Sequence, residues 1–198
     1  RRKVMNDQIP YFRQRLQEKL PPMRYEHSLG VAYTAMTLAM RYEYDLDRAE
    51  VAGLLHDCAK YYSDGEIIKK CRKHEIPLSE AEIQAPAVLH AKYGAWLAQY
   101  RYGVSDPEIL SAIRWHTTGK AEMSLLDKII YIADYIEPRR DKAPDVPHIR
   151  KLAFEDLDLT MYEILDGTLQ YLEKKGGSVD PMTNEAYDYF KELTSSRR

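Results

Sequence analysis

The sequence has few of the residues that mark a secreted or disulfide-bonded protein. Its 198 residues include only two cysteines, Cys58 and Cys71, which form no CxxC pair. Two such cysteines cannot build a disulfide framework or a structural zinc knot, so the composition favours a reducing compartment. The basic start RRK leads into the polar MNDQ and not into an apolar signal region. We therefore predict a soluble, cytoplasmic protein.

Long apolar runs and an excess of either charge are also lacking. No hydrophobic stretch is long enough to cross a bilayer, so the sequence predicts no membrane span. Lys and Arg number 29 against 31 Asp and Glu, a net charge of -2 with both signs interspersed. Such a balance provides no basic patch for nucleic acid or for an anionic membrane. The predicted partners are therefore small molecules.

The chain does have helical periodicity along almost its whole length. Apolar residues recur at intervals of three and four, and no window alternates as a strand does. Several helix starts are marked by a capping residue followed three positions later by an acid. These pairs are Asp47 with Glu50, Ser63 with Glu66, Ser79 with Glu82, and Ser124 with Asp127. Asp106 followed by Pro107 marks another start.

The prediction is thus an all-α fold that forms a single domain over residues 1–198. The helix at 6–20 is expected to pack on a core that spans about 22–193. Predicted helices cover residues 6–20, 23–43, 47–61, 63–74, 80–84, 86–101, 106–117, 124–137, 147–175 (with a break possible inside it) and 183–194.

The segment 53–60, GLLHDCAK, places polar residues inside a predicted helix core. His56 and Lys60 are four residues apart and share a helix face, and Asp57 lies beside them. A buried ionised carboxylate is costly unless it is paired or binds a metal. Asp57 therefore requires a cation nearby, whereas Cys58 is predicted to be a small core residue.

The same anomaly recurs in other predicted helices. Asp134 is embedded among isoleucines in SLLDKIIYIADYIEP, and His27, His90 and His116 each lie within a helical pattern. A single histidine on an apolar face is more often a hydrogen-bonded core residue than a ligand. Taken together with His56 and Asp57, however, these side chains are the ligand types that mid-series divalent metals prefer.

His27, the pair His56-Asp57 and the distal Asp134 resemble the H…HD…D signature of the HD-domain superfamily of metal-dependent phosphohydrolases. This resemblance implies an HD-domain helical bundle. The segments RYEHSLGV, LLHDCAK, HTTG, LLDKIIYIADYIEP and IRKLAFEDLD are similar to those of the bacterial YqeK family, over roughly residues 22–193. That similarity implies symmetrical hydrolysis of diadenosine tetraphosphate to two ADP, the reaction of a bis(5'-nucleosyl)-tetraphosphatase.

The resemblance also implies a dinuclear divalent metal centre, with iron favoured and manganese or another divalent ion acceptable. The first metal is assigned to His27, His56, Asp57 and Asp134, and the second to His90 and His116 with Asp57 bridging. Water activation is expected to depend on the metals, since two of them lower the pKa of a bridging water and draw in phosphoryl oxygens.

Basic residues near these ligands are candidates for binding the polyphosphate. Lys60 is predicted to act with Asp57 in catalysis and to bind a phosphate, and Arg24 and Arg140 are predicted to bind phosphates through forked hydrogen bonds. The alternatives are a solvated lysine at a helix end and two surface arginines. The turn Thr117, Thr118 and Gly119 could present backbone amides to a phosphate or simply end a helix.

The sequence leaves the roles of two further features open. Asp127 either orients a ligand imidazole from behind or caps its own helix. After Arg140 the chain departs from the family, because DKAPDV at 141–146 has an extra residue and lacks the aromatic that precedes Pro-Gly. The resemblance therefore carries over no nucleobase contact from this loop.

Other functions and assemblies remain possible at this level. An HD-type phosphohydrolase could act on another nucleotide, although alarmone hydrolases have an acidic pair where this chain has Lys60-Tyr61, and the GYP motif of the cyclic-di-GMP branch is absent. A non-catalytic nucleotide-binding regulator is the alternative from another class, and the complete ligand set favours an enzyme. The oligomeric state is open, with a homodimer among the possibilities.

Overall fold

The computed structural model describes residues 2–140 and 143–197, with side chains from Gln8 onward. Its helices are α1 Arg2–Lys19, α2 Pro22–Arg41, α3 Leu46–Leu55, α4 Asp64–Lys73, α5 Glu80–Gln84, α6 Leu89–Tyr100, α7 Pro107–Trp115, α8 Leu125–Ile136, α9 Val146–Leu152, α10 Leu157–Lys175 and α11 Pro181–Leu193. Short 3-10 turns occupy Pro86–Val88 and Ser195–Arg197. No strand occurs in these two stretches, which confirms the all-α prediction.

Capping explains where most of the helices begin. Ser63, Ser79 and Ser124 form the predicted capping boxes, in which the serine and the acid three residues later satisfy each other's backbone amides. The prediction for Asp47 was wrong. Asp45 caps α3 instead, because its backbone is extended and its carboxylate accepts the Arg48 N–H at 3.0 Å.

Two helices differ clearly from the predicted ranges, and one of them is α1, which begins at Arg2 and not at residue 6. The helix predicted to reach residue 61 ends at Leu55, and the chain then continues in tighter turns, with Cys58 N–H bonded to Leu55 O and Lys60 N–H to Asp57 O. The predicted 147–175 helix contains the break that the sequence allowed: it is divided into α9 and α10, and Asp156 caps the start of α10. Asp57 and Lys60 therefore owe their positions to a turn and not to a continuous helix face.

Close packing of α2 against α3 brings the polar residues together. A Cβ added at Gly53 would lie 2.6 Å from the Ala32 Cα, so only glycine permits this approach. One hydrophobic cluster runs from Ile9 to Phe190, and α1 contributes the fully buried Leu16 to it. None of the described helices combines the length and the apolar character required to cross a bilayer.

Candidate metal centre

Three predicted ligands meet where α2, the end of α3 and α8 converge. The nearest ligand atoms of His27, His56 and Asp134 all lie within 4.8 Å of one another. His27 Nε2 is 3.0 Å from Asp134 Oδ1, and the same oxygen is 3.9 Å from His56 Nε2. Although these atoms are close, both buried Nε2 atoms lack hydrogen-bond geometry to any partner in the described chain. A buried polar atom normally has a partner, and a cation between these three groups would supply it.

Asp57 lies between this group and the other two histidines. Its Oδ2 is 3.5 Å from His56 Nε2 and 3.8 Å from His27 Nε2. Its Oδ1 is 3.3 Å from His90 Nε2 and 3.4 Å from His116 Nε2. The two imidazoles are themselves 3.1 Å apart at Nε2. Each oxygen of Asp57 thus faces a different pair of histidines, an arrangement suited to a carboxylate that bridges two cations.

Most of these imidazoles are oriented by their own helices. The Nδ1 atoms lie within hydrogen-bond distance of the carbonyl three residues earlier in His56 (2.7 Å to Gly53 O), His90 (2.6 Å to Ala87 O) and His116 (2.7 Å to Ile113 O). A carbonyl can only accept, so Nδ1 carries the proton in each ring and Nε2 presents its lone pair to the cluster. This is the tautomer that a metal ligand through Nε2 requires.

Burial sets the charge of the cluster. Full burial lowers the pKa of His56 to about 4, and burial also lowers the pKa of His90. Burial alone would raise the pKa of Asp57, but the surrounding imidazoles hold it well below its usual range. Burial alone would also raise the pKa of Asp134, but the neighbouring imidazoles of His27 and His56 lower it. Imidazoles held neutral, as His56 and His90 are, and ionised carboxylates are ligands that a mid-series divalent metal prefers, so these residues fit such an ion.

Glu137 belongs to this cluster and was missed at the sequence level. It lies at the C-terminal cap of α8, its side chain is 1% exposed, and its Oε1 is 3.0 Å from His27 Nδ1. Burial by itself lowers the pKa of His27, but the carboxylates of Asp134, Glu137 and Asp57 raise it above the ordinary value. The signal in the sequence was an acidic residue directly after an apolar helix face and before Pro138. An acidic residue in such a position is also common at ordinary helix ends.

Asp127, for which two roles were left open, caps its own helix. Its Oδ2 accepts the Ser124 N–H at 3.0 Å, and its N–H donates to the Ser124 hydroxyl. Its nearest cation is Lys120, at 3.8 Å. Cys58 is fully buried, as predicted, and its thiol donates to Gly94 O and not toward the histidines.

The cluster opens into a cavity of about 820 Å³, which is at the large end of the range for small-molecule sites. Arg24 Nη1 is 2.8 Å from Asp57 Oδ2, and Arg140 Nη2 is 2.9 Å from Asp134 Oδ1. Their side chains are 37% and 49% exposed. Each guanidinium has five N–H donors and uses one in these contacts, so both arginines can also bind an anion in the cavity.

Lys60 and one residue of the predicted turn also line this cavity. Lys60 is half-buried, and among the described residues its ammonium forms no ion pair. Thr117 Oγ1 is 3.2 Å from His90 Nε2. Thr117 therefore lies beside His90, and Lys60 lines the same cavity.

Thr118 and Gly119 are not brought to the cavity, contrary to the predicted phosphate-binding turn. The Thr118 hydroxyl is buried and donates to Gly119 O at 2.9 Å. Gly119 has a φ of 68° and packs so closely on α11 that a Cβ would lie 3.2 Å from the Ala186 methyl. Its N–H is bonded to Trp115 O. Gly119 therefore lies in the turn after α7 and packs against α11, away from the cavity.

The loop that departs from the family pattern is described only in part. Ala143 and Val146 line the cavity, together with Ile164 and Thr168 of α10. Asp141 and Lys142 lie outside the described residues. Ala143 and Val146, the apolar residues of the segment that lacks the family's aromatic, therefore form part of one wall of the cavity.

Comparison with known proteins gives consistent matches. A family model described as the HD domain matches residues 24–139. Proteins named symmetrical bis(5'-nucleosyl)-tetraphosphatase are 40% identical in Staphylococcus aureus, over 87% of this chain and 89% of that one, and 39% identical in Bacillus subtilis, over 88% and 92%. A crystal structure from Clostridium acetobutylicum, titled a predicted HD superfamily hydrolase involved in NAD metabolism, aligns with a TM-score of 0.90 at 41% identity and covers 96% of this chain and 97% of that one.

Proposed function

The chain belongs to the HD domain family and, within it, to the symmetrical bis(5'-nucleosyl)-tetraphosphatases, and we propose that it hydrolyses diadenosine tetraphosphate to two ADP. The observation that carries the proposal is a buried cluster of histidines and aspartates that opens into a cavity with cationic side chains in its wall, among them Arg24, Lys60 and Arg140. Such a cavity is suited to a polyanion, and the cluster is suited to the metals that phosphoanhydride hydrolysis requires.

HD domains are metal-dependent, and two divalent ions would be held here by the predicted ligands. His27, His56 and Asp134 would hold one ion, His90 and His116 the other, and Asp57 would contact both. Bound divalent ions supply Lewis acidity, which lowers the pKa of water and neutralises phosphoryl charge. Iron is our proposed metal on the family resemblance, and manganese has the same ligand preference.

The remaining work falls to residues of the cavity wall. Arg24 and Arg140 are proposed to bind phosphates through guanidinium groups that already reach the rim of the cluster. Lys60, unpaired within the described chain, is proposed to bind a phosphate near His90 and thereby to assist the departure of the diphosphate. Thr117 offers a hydroxyl on the same side, and Thr118 and Gly119 are omitted because they do not reach the cavity.

Symmetrical cleavage has a definite atomic consequence. Water must attack the second phosphorus from one adenosine, and the bond from that phosphorus to the central bridging oxygen must break. The bridging oxygen leaves with the other ADP, so only one ADP of each pair carries an oxygen atom from water.

The test uses anaerobically purified protein, metal analysis, and reaction in oxygen-18 water with identification of the nucleotides. Two ADP with the label in one of them is the expected result. ATP plus AMP would exclude symmetrical cleavage and favour a broader HD phosphohydrolase. Binding of the substrate without turnover by the metal-loaded protein would favour the nucleotide-binding regulator.

The domain organisation, the location and the ligand class are also part of the proposal. We treat residues 1–198 as a single HD domain, because α1 buries Phe12 and Leu16 in the same hydrophobic cluster as α11. A cytoplasmic location is supported by two free, buried cysteines. The proposed ligand is a dinucleoside polyphosphate and not a nucleic acid, and a homodimer stays one possible assembly.

A further inference from the structure

His27 is oriented differently from the other three histidines of the cluster. His56, His90 and His116 lie at helix ends, where Nδ1 can approach the carbonyl three residues earlier. His27 lies inside α2, where the carbonyls are engaged by the helix itself. Its Nδ1 instead faces a carboxylate oxygen of Glu137, 110 residues along the chain.

The carboxylate of Glu137 is itself fixed on both oxygens. Oε1 faces His27 Nδ1 at 3.0 Å, and Oε2 accepts the backbone N–H of Arg139 at 2.8 Å. The side chain is 1% exposed, so water does not compete for these contacts. An imidazole that presents Nε2 to a metal is held in place, and made more basic, when Nδ1 donates to a buried carboxylate.

Gly30 provides the space in which this carboxylate lies. It is three residues after His27 on α2, so the two share a helix face. A Cβ at position 30 would be 2.6 Å from Glu137 Oε2 and 3.3 Å from its Cδ. Any larger residue would therefore push the carboxylate, and a carboxylate held at Oε2 by Arg139 N–H cannot move without changing its contact with His27.

We infer that Glu137 is a positioning residue that orients His27 toward the metal, and that Gly30 is required because it leaves room for the Glu137 carboxylate. Nothing in the metal-ligand assignment includes either residue. The inference rests on the proposed metal site, since it concerns how one of the ligands of that site is held.

The test is a titration of chelator-stripped protein with Mn²⁺ alone, for the wild type and three variants. Glu137→Gln keeps the size of the side chain and removes its charge, and Gly30→Ala adds the obstructing methyl group. Both are expected to weaken one of the two Mn²⁺ sites by about 10–100-fold and to leave the other unchanged. Glu26→Gln is the matched control, because Glu26 precedes His27 on α2 but is exposed and pairs with Arg139.

The outcomes separate a positioning role from a structural one. General loss of folding would weaken both sites and reduce the helical circular dichroism signal, so selective weakening of one site in a folded variant supports the inference. Gly30→Ala provides an independent test. Alanine favours a helix more than glycine does, so weaker Mn²⁺ binding by this variant cannot be attributed to a less stable α2. If Glu137→Gln and Gly30→Ala both keep wild-type Mn²⁺ affinity at both sites, this inference is wrong, but the proposed metal site is not affected. No Mn²⁺ binding by the wild type would overturn the proposed metal site and the inference with it.

Discussion

The two halves of the histidine cluster are assembled in different ways. On one side, His90 and His116 lie at the start of α6 and the end of α7, and each is oriented by a carbonyl of its own segment. On the other side, His27 lies within α2 and Asp134 lies in the last turn of α8, and the partner of His27 comes from the turn after α8. The first arrangement depends on local backbone geometry, whereas the second combines one local contact, between His56 and Gly53 O, with tertiary packing around His27.

This difference has a consequence for the reaction. Arg140 follows the same turn that carries Glu137, and it pairs with Asp134. The turn after α8 therefore connects a histidine ligand with a proposed phosphate-binding arginine. Changes in the turn after α8 are expected to affect the His27 side first, since the carbonyls that orient His90 and His116 belong to other segments.

The largest expected effect comes from the residue that belongs to both sides. Asp57→Asn keeps the size of the side chain but removes the charge that faces all four imidazoles. We expect hydrolysis of diadenosine tetraphosphate to fall by about 1,000-fold or more, equal to ~4 kcal/mol of transition-state stabilisation. Product analysis and metal content per chain measure the effect, with circular dichroism as the control for folding. Near-normal turnover would show that Asp57 does not act as proposed.

Removing one ligand from the local side tests whether the two sides are separable. His90→Ala should reduce the metal content from two ions per chain to about one, because His90 and His116 would hold only the second ion. Activity should fall by about 100-fold, equal to ~2.7 kcal/mol. The matched variant is His27→Ala on the other side. If His90→Ala still binds two ions with unchanged affinity, the division of the cluster into two metal sites is wrong.

The phosphate-binding residues should show a smaller and substrate-dependent effect. Truncation of Arg24 or Arg140 to Ala should lower kcat/KM for diadenosine tetraphosphate by about 10–100-fold, since remote phosphates supply binding energy that a small ester lacks. Hydrolysis of p-nitrophenyl phosphate should change by about threefold or less in the same variants. Equal losses on both substrates would indicate that the arginines support the ligands and not the substrate.

Much of the fold and the identity of the candidate ligands could be predicted because those signals are local. Three serine capping boxes and the helical periodicity lie within a few residues of sequence, and they appear as predicted. The histidines and aspartates stood out because polar residues in apolar helix faces are costly.

What could not be predicted depends on contacts between distant residues. Glu137 looks like an ordinary helix end until α8 is packed beside His27, 110 residues away. Gly119 looked like a phosphate-binding turn, and its packing on Ala186 of α11 has no trace in the segment itself. The end of α3 at Leu55 also has no local marker, because the next residue, His56, still has helical backbone angles.

The smallest expected effect concerns Arg150, which binds the turn that carries Glu137. Its guanidinium donates to the carbonyls of Ile136 at 2.8 Å, Glu137 at 2.9 Å and Arg140 at 3.0 Å. Arg150→Ala removes these bonds, each of which contributes about 1 kcal/mol at most to a partly solvated site. The resulting loss should lower the Tm by roughly 3–8 °C for a chain of this size.

The informative measurement on Arg150→Ala is metal affinity, because the two sides of the cluster should respond unequally. A looser turn lets Glu137 move, so the affinity of the His27 side for Mn²⁺ should fall by about threefold, within the range expected for residues that support a ligand indirectly. The His90 side should keep its affinity, since its orienting carbonyls belong to other segments. Arg197→Ala is the control, as Arg197 pairs with Asp156 and Asp158 at the start of α10 and is exposed. Equal weakening of both sites by Arg150→Ala would mean that the local side also depends on the packing of α8, and that the two halves are one unit.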